Sequence, residues 1–181
     1  MKKILLHICC GVCTLYPIEK LRGLGFYVEG FFFNPNIYPY KEYLKRKKVI
    51  EKVKDLIKIK IIEGEYNPFL WLDVCKDYKE EKEGGKRCFL CYELRLKRTF
   101  KVLKEKKFDY FTTTLTVSPY KKSKAIISLG REMTSSHFFP IDFKKEDGFK
   151  KTIQLAKEFG LYRQNYCGCI YSYYYSSSLK K

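Results

Sequence analysis

An α/β fold, with a mostly parallel sheet flanked by helices, is what the order of segments along the chain predicts. Three observations carry that reading. Short runs rich in aliphatic, aromatic and β-branched residues alternate with longer segments of helical spacing. The first of these runs is apolar throughout rather than at every second position, as expected of a strand covered on both faces. The strand, helix, strand order implies right-handed crossovers within one sheet. With 181 residues, 45% hydrophobic and 17% aromatic, the chain can bury one core without disulfides, so residues 1–181 are read as a single domain.

The elements follow in order. Lys3–Ile8 is the buried first strand, ending at paired cysteines. After the Gly11 turn, Leu15, Pro17, Ile18, Leu21 and Leu24 keep helical spacing, and Gly23 and Gly25 end that helix. Residues 26–33 form a second strand closed by Asn34-Pro35-Asn36, 40–57 a long charged helix and 58–63 a third strand. Asn67-Pro68 opens a segment holding Trp71, Leu72 and Cys75, and residues 79–85 are a polar connection ended by glycine. A helix over 88–104 carries Leu90, Leu94, Phe100 and Leu103. Residues 108–115 make a fourth strand with Ser118-Pro119 as its turn, and Ile126, Ile127, Leu129 and Met133 mark a helix. A short strand at 138–141 and a helix at 152–159, stopped by Gly160, complete the pattern before a cysteine-rich C-terminal segment.

Charge points to a polyanionic partner. The formal net charge is +17, with basic residues concentrated at 41–60, 76–107, 121–124, 144–151 and in the Lys180-Lys181 tail. Lysines neutralise phosphates and the sixteen tyrosines can stack on bases, which makes RNA the leading candidate; the plainer alternative is solvated lysine-rich helix faces. The opening MKKILLHICCGVC sets lysines before an apolar run, as a signal peptide does. However, His7 interrupts the run, a paired-cysteine turn follows, and a small-residue cleavage site is lacking. It reads as a strand. No apolar stretch approaches a membrane span, and a cytoplasmic location with reduced thiols is expected.

Seven of the eight cysteines fall in three groups: Cys9, Cys10 and Cys13; Cys88 and Cys91; Cys167 and Cys169. In reducing surroundings such groups bind metal or carry redox chemistry. Cys9 and Cys10 end a strand, where α/β proteins gather function. Neither a Walker motif nor G-x-G-x-x-G occurs, which speaks against ATP binding. Cys88-Phe89-Leu90-Cys91 has chelating spacing at a helix start, where backbone amides favour thiolates. Four thiolates suit zinc or a [4Fe–4S] cluster; neighbouring cysteines point apart, which favours separate irons of a cubane over one tetrahedral zinc. Cys13 is open between a ligand to a second metal, a substrate contact and a core thiol. Cys75 stands alone and reads as a small buried hydrophobe. Cys167-Gly168-Cys169 would close a small strained ring, suited to a two-electron relay; further metal ligation and inert thiols are the alternatives. His7 reads as a satisfied core residue, His137 has no evident partner, and Asp142 suits a turn cap.

The segments LLHICCGVC (5–13), KRCFLCYELRL (86–96), FTTTLTVSPYK (111–121), DFKKEDGF (142–149) and LYRQNYCGCIYS (161–172) resemble, in order, those of the QueH-type epoxyqueuosine reductase family. The resemblance implies a nucleotide α-hydrolase-like sheet. It also implies the last step of queuosine synthesis, in which epoxyqueuosine at the tRNA wobble position loses its epoxide oxygen. In that family Cys9, Cys10, Cys88 and Cys91 match the iron–sulfur ligands, and Cys167 with Cys169 the redox-active pair. Cys13 stands where an additional mononuclear iron would find a ligand. Tyr120, Lys121, Arg163, Gln164 and Tyr166 are candidate contacts to the substrate.

That chemistry is consistent with the residues. Turning an epoxide into an alkene and water takes two electrons and two protons, which a dithiol closing to a disulfide releases; an external donor must then reopen it. The competing readings are a zinc-stabilised, non-catalytic RNA-binding protein and a tRNA-sulfur transferase. The latter would need ATP, for which no phosphate loop is present.

Overall fold

Strand β1 (Lys3–Ile8) forms where the chain is most uniformly apolar, and both of its faces are covered. Ile4, Leu6 and Ile8 pack with Tyr16, Ile18, Leu21, Phe32 and Ile50 on one side, while Leu5 packs with Phe31, Leu96, Leu103 and Phe111 on the other. The structure, a computed structural model, describes residues 1–178. The Lys180-Lys181 tail lies outside the described residues.

β1 pairs with β2 (Tyr27–Phe32) and with β4 (Tyr110–Thr113), and β2 pairs with β3 (Ile61–Glu63); every pairing is parallel and the order is β3-β2-β1-β4. Leu6 stands opposite Gly30 on one side and Thr112 on the other. Helix α1 (Leu15–Gly23) joins β1 to β2 and α2 (Tyr40–Leu56) joins β2 to β3. Helices α3 (Pro68–Cys75) and α4 (Lys86–Lys106) then carry the chain back to the far side of β1. Strand order thus reverses between β1 and β4, and open α/β sheets leave a ligand crevice outside strand ends at such a point. α5 (Ser123–Met133) packs on α4, α6 (Gly148–Glu158) packs on α1, and α7 (Ile170–Ser178) follows the last cysteines. Among the described residues no helix is long and apolar enough to cross a membrane.

Local chemistry explains the starts of the two helices nearest the cysteines. Asn67 caps α3, its Oδ1 accepting from the amides of Phe69 and Leu70 at 3.1 and 3.3 Å, with Pro68 in the first turn where no amide is missed. α4 starts after Gly85, and the Gly84 amide ahead of it donates to Cys88 Sγ at 3.2 Å.

Several expectations need correction. The third strand is Ile61–Glu63 rather than 58–63, and the fourth is Tyr110–Thr113 rather than 108–115. The strand expected at 138–141 is reduced to one parallel bridge between Phe111 and Phe138, because Pro140 has no amide to continue a ladder. α7 was not foreseen, since IYSYYYSSS has neither an apolar stripe nor a capping signal.

His7 is a satisfied core residue. Its Nε2 donates to the Phe33 carbonyl at 3.1 Å and its Nδ1 accepts from Thr113 Oγ1 at 2.9 Å, tying β1 to both neighbours. Burial pushes the imidazole down to about 4, so it is neutral. His7→Leu strands the hydroxyl and the carbonyl without their partner, and at about 1–3 kcal/mol for each buried unpaired group the expected loss is about 3 kcal/mol in urea unfolding. His137 does have a partner, the Asp109 carbonyl at 3.1 Å from its Nδ1, and Asp142 Oδ1 caps a turn by accepting from the Lys144 amide at 3.1 Å.

Candidate metal and redox site

The end of β1 turns sharply into a thiol-bearing loop. Gly11 is required there, since a Cβ would sit 2.5 Å from Val49 Cγ1 of α2. The tight turn brings the sulfurs of Cys9, Cys10 and Cys13 within 4.8 Å of one another. Thr114, just after β4, accepts from the Cys9 amide at 3.0 Å and donates its hydroxyl to Cys9 Sγ at 3.3 Å. The Cys13 amide donates to Cys10 Sγ at 3.3 Å. Donation from the Cys10 and Cys13 thiols holds Cys9 well below the usual thiol range, and Cys13, donating to Cys10 and Cys9, is pushed well above it. One thiolate is therefore stabilised by its two neighbours.

Cys88 and Cys91 occupy the first turns of α4. Burial pushes Cys91 up to about 11, and it also raises Cys88 against the opposing Gly84 amide. Both thiols lie close enough to Cys167 and Cys169 to feel their charge. Cys75 is fully buried in one apolar group with Trp71, Cys91 and Cys169, where burial pushes it up to about 12. The cysteines therefore meet as two sets: Cys9, Cys10 and Cys13 at the strand end, and Cys88 and Cys91 beside Cys167 and Cys169. The sets are joined at two points. Cys9 packs against the apolar group that contains Cys88, and the Arg95 guanidinium, with Nε donating to the Cys91 carbonyl at 3.1 Å, feels Cys91, Cys167 and Cys9 together.

A cleft of about 610 Å³ opens over this junction, at the β1–β4 switch point. Cys9, Cys13 and Cys167 line it, while Cys169 is buried behind with its sulfur accepting from the Ser172 amide at 3.4 Å. All five residues expected to contact substrate, Tyr120, Lys121, Arg163, Gln164 and Tyr166, also line it. The Gln164 side chain lies near enough to the Cys10 sulfur to favour its thiolate. Burial works against the Lys121 ammonium, but the Cys167 and Cys9 sulfurs outweigh it and hold the group charged. Tyr120, 80% exposed, stands at the mouth.

Sequence reasoning missed Arg46, Arg95, Asn34 and Asn36, which line the same cleft. Asn34 Nδ2 donates to the Ile8 carbonyl at 2.8 Å and its Oδ1 accepts from Arg95 Nη1 at 3.3 Å, so it props the strand end against α4. The available signal was positional: Asn34 and Asn36 follow β2 at the same sheet edge as the thiols.

The donor set fits a buried anionic metal group. Arg95 is 2% exposed, and its Nη2 has no hydrogen-bond partner among the described residues. An orphaned guanidinium nitrogen beside Cys9, Cys91 and Cys167 is costly unless negative charge lies next to it, and hydrogen bonds to sulfur are a recurrent feature of iron–sulfur sites.

A family model described as epoxyqueuosine reductase QueH matches residues 4–174. Proteins of that name from Staphylococcus epidermidis and Thermotoga maritima are 39% and 36% identical to this chain. The matches cover 94% and 95% of it, and 76% and 91% of those proteins. A solved structure of a predicted subunit of tRNA methyltransferase from Methanocaldococcus jannaschii aligns with a TM-score of 0.59 at 14% identity, covering 87% of this chain and 75% of that one. The U34-tRNA thiolase NcsA from Methanococcus maripaludis, solved with its [4Fe-4S] cluster, aligns with a TM-score of 0.53 at 16% identity, over 94% and 61%. At such identities the two structures speak for the fold alone, a mostly parallel sheet flanked by helices as expected. Extended over nearly the whole length, the sequence relationships show that the chain belongs to the epoxyqueuosine reductase QueH family.

Proposed function

We propose that this chain converts epoxyqueuosine at the wobble position of tRNA to queuosine by reductive deoxygenation, with Cys167 and Cys169 as the two-electron donor. The observation that carries the reading is the cleft, where Cys167 faces Cys9 and Cys13 among all five expected substrate contacts. Cys9, Cys10, Cys88 and Cys91 would hold a [4Fe–4S] cluster, which when bound supplies single-electron transfer and Lewis acidity toward an epoxide oxygen. An additional mononuclear iron, with Cys13 as a ligand, is the finer part of the proposal.

The remaining steps belong to the chain. Tyr120 stacks on a base at the cleft mouth, and Arg163 with the surrounding lysines takes backbone phosphates. Lys121, held charged between Cys9 and Cys167, donates toward the epoxide oxygen as negative charge builds on it. Closure of Cys167 on Cys169 forms one S–S bond and releases two electrons and two protons. Both epoxide C–O bonds break, a C=C bond forms, and the oxygen leaves as water. An external reductant reopens the disulfide.

The test is incubation of the iron-loaded protein with epoxyqueuosine-containing tRNA and a dithiol reductant, followed by mass spectrometry of the nucleosides. Loss of one oxygen is expected, and an unchanged nucleoside at full iron loading sinks the reading. A colourless protein with stoichiometric zinc would instead favour a non-catalytic RNA-binding role. Tyr120→Ala is expected to raise the Kd for the tRNA roughly tenfold, the effect of one lost base–aromatic stack of about 1–3 kcal/mol. A filter-binding titration with an unchanged Kd removes Tyr120 from the interface.

A further inference from the structure

One buried side chain grips the backbone of the Cys167-Gly168-Cys169 turn. Arg46, on the inner face of α2, is 2% exposed. Its Nη1 donates to the Cys167 carbonyl at 3.1 Å and its Nη2 to the Tyr166 carbonyl at 3.2 Å. Its Nε donates at 2.7 Å to Glu42 Oε1, one helical turn earlier, and Tyr162 Oη donates to the same carboxylate at 3.0 Å. From the opposite side, the Tyr38 amide donates to the Gly168 carbonyl at 2.7 Å. Gly168 has φ of 120°, and a Cβ there would lie 2.7 Å from Arg46 Nη1, so glycine is required both by its backbone and by the approach of the guanidinium.

Stability alone gives a weak account of this arrangement. A buried ion pair recovers little beyond its own desolvation, and the carbonyls of the partly buried Tyr166 and Cys167 could be satisfied by water. The feature that remains is specificity of target: both terminal nitrogens of Arg46 go to consecutive carbonyls, one of them that of Cys167. Cys167 lines the cleft while Cys169 is buried, so the turn that Arg46 grips holds the two sulfurs in different surroundings.

We propose that Arg46 is the positioning residue of the Cys167–Cys169 pair, holding the turn open with Cys167 toward the cleft and biasing the pair toward its reduced state. This rests on the assignment of these two cysteines as the redox pair. Arg46 makes and breaks no bond. Its positive charge near the Cys167 sulfur favours thiol and thiolate over the neutral disulfide, and its two hydrogen bonds oppose the backbone rotation that ring closure needs. A pair stabilised in its reduced form is the stronger oxidant of the two extremes, so an external donor refills it readily after each turnover.

The test equilibrates the iron-loaded protein with glutathione redox buffers without oxygen, traps free thiols by alkylation, and measures the disulfide fraction by mass spectrometry. Arg46→Gln is expected to raise the equilibrium constant for disulfide formation about tenfold, equivalent to about 30 mV more reducing for a two-electron couple. Arg46→Lys keeps the charge but loses the two-pronged fork and should fall between. Tyr162→Phe, which removes only the hydroxyl on Glu42, should shift the equilibrium the same way by less, and it carries the comparison with Arg46→Lys if Arg46→Gln fails to fold. An unchanged equilibrium in the folded variants overturns the role of Arg46 and leaves the redox pair standing. Absence of any Cys167–Cys169 disulfide in the unsubstituted protein overturns both.

Discussion

Cys167→Ser is expected to lower multiple-turnover deoxygenation by roughly a thousandfold or more, the scale seen when a reacting group itself is removed. A serine hydroxyl cannot close on Cys169, so one of the two electrons and one of the two protons have no source within the pair. Its neighbour cannot substitute. Cys169 is buried behind the turn in the apolar group with Trp71, Cys75 and Cys91, whereas Cys167 lines the cleft. The two positions should therefore respond differently to a small dithiol reductant. In Cys169→Ser the cleft-facing thiol is still present and the reductant can complete a mixed disulfide with it, so part of the activity returns. In Cys167→Ser no thiol of the pair faces the cleft and no activity returns. Tertiary structure is not expected to change, because Cys167 is only partly buried and the replacement nearly isosteric; stability within about 0.5 kcal/mol and an unchanged tRNA Kd are the controls. Full multiple turnover by Cys167→Ser under the same reductant would falsify the relay.

Much of the scaffold behind that result was legible because it rests on local rules. The uniform apolar run Lys3–Ile8 became β1 with those same bounds, since alternate residues enter two separate cores and neither face tolerates a charge. Asn67-Pro68 marked the start of a segment, and the structure makes that segment α3, because the side-chain cap and the amide-free proline both suit a first turn. The thiol loop after β1 and the C-x-x-C at the head of α4 were legible from position alone. Other parts of the site were hidden because hydrophobic periodicity does not see them. α2 buries Glu42, Tyr43, Arg46, Val49, Ile50 and Val53 at helical spacing, but two of the six are charged, so the face reads as solvated. Arg46 and Arg95 become intelligible only when the cleft and its sulfurs are in view. The meeting of Cys88 and Cys91 with Cys167 and Cys169 likewise depends on how the chain returns past α6, and spacing in the sequence does not report it.

Loss of any one of Cys9, Cys10, Cys88 or Cys91 is expected to abolish deoxygenation together with iron binding. Substitution by alanine should remove most of the bound iron and the broad absorbance near about 400 nm that anaerobically purified protein is expected to show. Two further thiols turn this into a test of assignment rather than of cysteine content. Cys75 packs against Cys91 and Cys169 but is fully buried in that apolar group and does not line the cleft, so it is read as a core thiol. Cys75→Ala should keep its iron and lose only packing, about 1 kcal/mol for a small buried side chain. Cys13 lies in the compact sulfur group with Cys9 and Cys10, and it faces the cleft. If its iron is a separate one, Cys13→Ala keeps the absorbance and four irons while losing the additional one by metal analysis. If Cys13 belongs to the cage instead of Cys88 or Cys91, absorbance disappears with Cys13→Ala and persists with one of the α4 variants. Arg95→Leu probes the same cage from its charged neighbour. Removing the guanidinium that feels both Cys9 and Cys91 leaves buried thiolates uncompensated, so iron should be lost faster to a chelator although every sulfur is intact. Chelation at the unsubstituted rate would show that the orphaned nitrogen of Arg95 serves something other than the metal.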